Sequence, residues 1–135
     1  MSRMAGLRCI VVTPERKVLE DTADAVVVPL PDGELGIYPR HAPLIGRLGA
    51  GELRVRQGEK VRRFYVEGGF VEVLNDVVSV VTTRTLTVRE LAPDVIHQQL
   101  EQVIQTRAAG DQAIAERNAQ AARLRAMLRV ARHGE

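Results

Sequence analysis

Tryptophan is absent from this 135-residue chain, and two tyrosines and two phenylalanines are its only aromatic side chains. That excludes a stacking surface for single-stranded nucleic acid, where aromatic faces carry successive bases. An excess of one charge is also missing. Nineteen lysines and arginines stand against 17 acids, a formal net charge of +2, and the two signs interleave through most of the chain. A general nucleic-acid binder carries a basic patch, so no nucleic-acid partner is expected. The lone cysteine, Cys9, excludes an internal disulfide and a zinc site built from thiolates. It lies in the apolar run Leu7–Thr13 and reads as a small buried side chain. No run approaches the roughly 20 apolar residues of a membrane span. The stretch from Met1 to Leu7 lacks the apolar length of a secretion signal. The expectation is a chain kept in the cytosol that meets a membrane only through a partner.

Catalytic groupings are equally sparse. The three histidines, His41, His97 and His133, share no ligand-like spacing, and no metal site is expected. His97 reads as a solvated helix residue and His133 as part of a frayed C-terminus. The only serines are Ser2 and Ser79, and neither sits in a nucleophile elbow. Gly46, Gly49 and Gly51 are followed by a strand and no Lys-Ser/Thr pair, which fails the context of a phosphate loop. Gly68–Gly69, between two β-like runs, marks a bulge or a close backbone approach.

What is present divides into two unlike parts. Short β-like runs fill residues 7–87: Leu7–Thr13, Ala23–Leu30, Glu52–Arg56, Val61–Val66, Phe70–Leu74 and Val77–Thr83. Leu53 and Val55 alternate with Arg54 and Arg56, the period of a half-buried strand. Gln57, Gly58 and Glu59 read as a tight turn. Asn75–Asp76 is a two-residue loop of residues that tolerate positive φ, as a β-hairpin needs. Many short strands at this spacing predict a sandwich or barrel. From Ala92 the composition turns to Ala, Gln, Arg and Glu, mostly good helix formers. Pro93 and Asp94 suit a first helical turn. Ile96, Leu100, Val103 and Ile104 share one face, Ala109–Gly110 breaks the helix, and Asp111 reads as the N-cap of a second. Ile114, Ala121, Leu124, Met127, Leu128 and Ala131 make its stripe. Two such helices joined by a short break predict an antiparallel hairpin. Its narrow, alanine-rich stripe is marginal unless it docks, and alone it has only the sandwich to cover it. The expectation is a folded hairpin. Residues 1–91 are read as the sandwich and 92–135 as the hairpin.

The segment from Asp32 to Leu44 stands apart. Asp32–Gly33 is a turn signal, and Pro39 and Pro43 predict a rigid, extended loop around His41. It is either an ordered connection of the sandwich or a presented recognition surface carrying Asp32, Glu34 and His41.

Its string Gly-Glu-Leu-Gly-Ile-Tyr-Pro-Arg-His-Ala-Pro-Leu, residues 33–44, closely resembles the signature of the ε subunit of bacterial F-type ATP synthase. Tyr65-Val66-Glu67-Gly68-Gly69-Phe70-Val71-Glu72-Val73 is similar to that family's second hallmark, and the terminal Arg125-Ala126-Met127-Leu128-Arg129-Val130 also fits. The resemblance runs from about Leu7 to Arg132. It implies an N-terminal β-sandwich of about ten strands followed by a C-terminal antiparallel two-helix hairpin, monomeric when isolated. It implies a non-catalytic rotor subunit on the central stalk of a proton-translocating synthase, peripheral at the cytoplasmic face of the bacterial plasma membrane. Its partners there are the γ subunit, the c-subunit ring and the α/β catalytic head.

Residue by residue, the resemblance implies c-ring contacts at Asp32, Glu34 and His41. It implies that the hairpin inhibits ATP hydrolysis by extending along γ, with Arg123, Arg125, Arg129 and Arg132 meeting the head. Those arginines also suit the last turns of a helix, where cations complement the dipole. Some members bind ATP through a motif that aligns here with Pro93-Asp94-Val95-Ile96-His97-Gln98. Asp94 matches it, with Arg123, Arg125 or Arg129 from the second helix. Pro93 and His97 depart from it, so weak or no ATP binding is expected, and no other cofactor. The alternative is a cytosolic adaptor that binds a helical partner through the hairpin, unconnected to ATP synthase.

Overall fold

The computed structural model describes residues 6–133. Ten strands form two five-stranded sheets, followed by two helices. The strands are β1 (Leu7–Val12), β2 (Lys17–Ala23), β3 (Ala25–Leu30), β4 (Gly33–Ile37), β5 (Leu44–Arg47), β6 (Gly51–Gln57), β7 (Lys60–Glu67), β8 (Phe70–Leu74), β9 (Val77–Val81) and β10 (Arg84–Thr87). One sheet has the order β2-β1-β9-β8-β5, the other β10-β7-β6-β3-β4. β1 runs parallel to β9, and the other pairs are antiparallel. The sandwich, with two helices after it, is the architecture expected.

Alternation decides which side chains enter the space between the sheets. Leu53 and Val55 of β6 are fully buried while Arg54 and Arg56 point outward. Cys9 and Val11, Val26 and Val28, Val71 and Val73, and Val78 and Val80 do the same on their strands. Burial without a charged neighbour pushes the Cys9 thiol up to about 12, so it stays protonated. Asn75 and Asp76, at φ 50° and 64°, make the two-residue turn of the β8–β9 hairpin. Gly69, at φ 92°, is a close approach: a Cβ there would lie 1.9 Å from the carbonyl oxygen of Val81.

Four strands differ from the sequence reading. β2 and β10 were not separately legible, and β5 is only four residues long. The stretch 33–37, expected as extended loop, is strand β4, paired with β3 from Val26↔Ile37 to Leu30↔Gly33. Its backbone hydrogen bonds go to β3, which the prolines further along do not prevent. The loop proper is confined to residues 38–43.

A 3₁₀ turn at Val88–Glu90, closed by a reciprocal Thr87–Glu90 capping box, ends the sandwich. α1 (Pro93–Gln105) begins with proline at its first position. α2 (Asp111–His133) begins after Gly110, whose carbonyl accepts the Ile114 N–H at 3.1 Å. Gly110 is therefore the N-cap and Asp111 the first helical residue, so the helix begins one position earlier than expected; the turn needs φ 89°, which glycine adopts without strain. Arg117 Nη1 donates to the Thr106 carbonyl across the connection.

The helices fold back on the sandwich, α2 lying against β6 and β7. A second core forms there from Tyr65, Leu91, Ile96, Leu100, Ala121, Leu124, Ala126, Met127, Leu128, Val130 and Ala131. It shares no residue with the core between the sheets. The stripe expected on α2 holds only in its C-terminal half. Ile114, like Ile104 of α1, is exposed, while Ala126 and Val130 are buried beside Met127 and Ala131.

Candidate functional site: two outer faces of the sandwich

Among the described residues the two outer faces are unlike, because the chain itself covers only one of them. On the β2-β1-β9-β8-β5 sheet, residues that alternate with the core point to solvent. Ile45 is 72% exposed, and Phe70 and Leu74 are nearly half exposed. Register places Arg47, Phe70, Val81 and Val12 in one row across four strands. Leu74 and Val77 stand side by side in another.

The other outer face receives α2. Tyr65 is fully buried beneath it, and its hydroxyl donates to Glu67 Oε1 at 2.5 Å. Burial, and then that carboxylate, push the phenol well above its usual range. Towards the end of α2 lies a polar group. Glu52 of β6 has a side chain only 6% exposed, and its Oε1 accepts from Arg54 Nη1 at 2.8 Å. His133 Nδ1 lies 2.8 Å and 3.0 Å from the two oxygens of Glu52. Arg63 Nε stands 3.6 Å from Oε2. Arg54 also reaches Glu34 with both terminal nitrogens, at 3.0 and 3.1 Å. Hydrogen bonds to Glu34, and then Glu52, push the Arg54 pKa up further.

The expected site residues do not form one cluster. Asp32 is exposed in the β3–β4 turn, and Glu34 is on the adjoining edge strand, tied to Arg54. His41 is half-buried in the next loop, bonded through Nδ1 to the Ala42 carbonyl at 2.7 Å. That loop is fixed to the β8–β9 turn, where the Arg40 N–H donates to Asp76 Oδ1 at 2.6 Å. Arg125 and Arg132 are exposed on α2. Arg129 lines a cleft of about 540 Å³ with Glu34, Glu52, Arg54, Val130 and His133. Arg123 lines a different cleft, of about 430 Å³, with Arg84, Glu90, Ile96 and Met127. Asp94, Arg125 and Arg129 do not line the cleft that holds Arg123. His133, read as frayed, is held by Glu52.

Sequence reasoning missed Glu52, Arg54 and Tyr65. Alternation marks all three as outward-facing, but only the docking of α2, remote in sequence, turns those positions into a junction. Among the described residues there is no group of three or more His, Cys, Asp or Glu side chains placed to hold a metal ion, and no helix long and apolar enough to cross a membrane.

A sandwich with a helical hairpin folded on one face and an apolar row open on the other is a docking module assembled for protein contacts. The family described as ATP synthase, Delta/Epsilon chain, beta-sandwich domain, matches residues 6–88. The ATP synthase epsilon chain of Rhodopirellula baltica is 40% identical over 127 residues, covering 94% of this chain and 99% of that one. That of Leptospira borgpetersenii is 45% identical over 76 residues, 56% of this chain and 60% of its own. The fold is also that of a chain in the Euglena gracilis mitochondrial ATP synthase OSCP/F1/c-ring structure. There the TM-score is 0.84 at 18% identity, over 91% of this chain and 79% of that one. A chain of the Tetrahymena thermophila mitochondrial ATP synthase central stalk/c-ring gives a TM-score of 0.75 at 16% identity, over 93% and 96%. The chain belongs to the ATP synthase epsilon-chain family.

Proposed function

We propose that this chain works as the non-catalytic rotor subunit of a proton-translocating ATP synthase, bound to γ and seated on the c ring at the cytoplasmic face of the plasma membrane. It passes ring rotation to the α/β head. The observation that carries this is the outer sheet face that leaves Ile45, Phe70 and Leu74 exposed, on a sandwich whose other face is covered by its own helix. A rotor subunit needs one such fixed attachment. We assign this face to γ. Asp32 and Glu34, on one β-hairpin, and His41 on the next loop face the c ring. Contacts of this kind are charge-assisted and partly solvated, so each is modest.

The hairpin restrains ATP hydrolysis when it leaves the sandwich and extends towards the head. Residues 111–120 of α2 are exposed almost throughout, so docking is concentrated in Ala121–His133. Arg125, Arg129 and Arg132 are exposed on one side of the docked helix and Arg123 on the other, and extension carries them to the head. We assign nucleotide no part in this cycle, on the departures at Pro93 and His97 from the nucleotide-binding motif.

Binding of the full chain to the matching γ subunit tests the attachment. Ile45→Asp with Phe70→Asp is expected to weaken binding at least about tenfold, since central apolar anchors dominate such interfaces, while circular dichroism stays unchanged. Unchanged affinity would remove the assignment of this face.

A further inference from the structure

Glu52 is a carboxylate that α2 covers, and a covered charge needs partners that stay in place. Two of its partners, Arg54 and Arg63, belong to the sheet and remain whether or not the hairpin is docked. The third, His133, is on the last turn of α2, 81 residues further along the chain. Ala126 and Val130 pack in the second core and, with His133, line a cleft whose other wall is Pro29, Leu30 and Gly51. The imidazole then reaches both oxygens of Glu52.

We propose that Glu52 and His133 form a catch that holds the C-terminal end of α2 on the sandwich, so that the hairpin leaves only when this contact opens. The proposal rests on the reading of the hairpin as a movable element. The surroundings explain why an imidazole fills this position. Arg54, Arg56 and Arg63 of the sheet line the cleft beside His133, and Arg129 lies one turn back on its own helix. Glu34 and Glu52 pair with Arg54, and Glu52 also with Arg63. A longer, permanently charged side chain at this position would add another fixed cation to that group, whereas an imidazole reaches Glu52 with one N–H. The catch also joins two surfaces. Arg54 binds Glu52 and Glu34 at once, so the last turn of α2 is linked through two side chains to the edge strand assigned to the c ring.

Trypsin cleavage of the full-length chain at Arg125 and Arg129, inside α2, reads how often that helix opens when cleavage is slow relative to reclosing. His133→Ala and Glu52→Gln should each speed this cleavage about three- to tenfold, as expected for a charge-assisted contact half open to solvent. In Glu52→Gln, His133→Ala should add little, because the partner is already gone. His133→Gln, which keeps a donor, should restore part of the protection. Labelling of the buried Cys9 thiol reports separately on the sandwich and should not change. Cleavage of His133→Ala at the unsubstituted rate, or an equal gain in both backgrounds, would overturn the catch. The same variants added to the catalytic head separate the two ideas. Faster opening without a change in inhibition removes the inhibitory reading and leaves the catch standing.

Discussion

Leu124→Ala should release the hairpin and spare the sandwich. Leu124 is 7% exposed and packs in the second core with Tyr65, Leu91, Ile96, Leu100 and Met127, none of which belongs to the core between the sheets. Truncating a buried leucine costs about 2–5 kcal/mol, depending on how far the site collapses. A helix lying on a surface can settle into the gap, so the lower part of that range, about 2–3 kcal/mol, applies here. At 1.4 kcal/mol per decade this multiplies hairpin opening about 30- to 150-fold. A hairpin of 13- and 23-residue helices has little stability of its own once undocked. Amide hydrogen exchange reads both parts together. The amides of Ile96, Leu100 and Met127 should lose protection by that factor, while those of Val28, Val55 and Val78 keep theirs. A parallel loss in the strands would refute the reasoning, because the two cores would then be one cooperative unit.

Further perturbations test other links. Gly69→Ala places a Cβ 1.9 Å from the Val81 oxygen and 2.9 Å from Thr82 Cα at φ 92°. Left-handed strain alone costs about 1–2 kcal/mol, and the backbone of β9 must move as well. A loss of about 3 kcal/mol and a fall in Tm of roughly 10 °C are expected, and a Tm within 2 °C of the parent would contradict this. The Glu20 carboxyl is drawn down to about 2, first by the Lys17 hydrogen bond and then by that of Arg8. Its folded value lies below the usual 4.5, so its contribution is complete above that pH and is lost as pH falls towards 2. Glu20→Gln should flatten the acid side of the stability profile in that window; an NMR titration midpoint for Glu20 above 4 would count against the pair. Millimolar ATP should leave the amide signals of Asp94 and Arg123 without a large saturable shift, and such a shift would restore a nucleotide site at the hairpin.

The parts of this fold that were legible in the sequence are those governed by neighbours. Leu53-Arg54-Val55-Arg56 states its own two faces. Asn75–Asp76 carries its own turn, and Gly68–Gly69 its own close approach. β2 was hidden because Glu20, Asp21 and Thr22 expose most of one edge strand, leaving Leu19 and Ala23 as a weak signal. β4 was hidden behind turn residues, although partnering by β3 decides its conformation. The number of strands came through the family resemblance, not through periodicity. On the helices, the apolar positions Ile104 and Ile114 flank a connection that swings clear of the sandwich, which spacing alone does not reveal. The junction at Glu52 was illegible for a related reason. A glutamate in an outward strand position is ordinarily solvated, and its burial depends on a helix end folded over it from 81 residues away.

ATP hydrolysis by the matching catalytic head lacking this subunit is the most direct test, with either the full chain or residues 1–91 added. The account predicts that both bind, that the full chain slows turnover, and that the truncated chain does not. Failure of both to bind would contradict it.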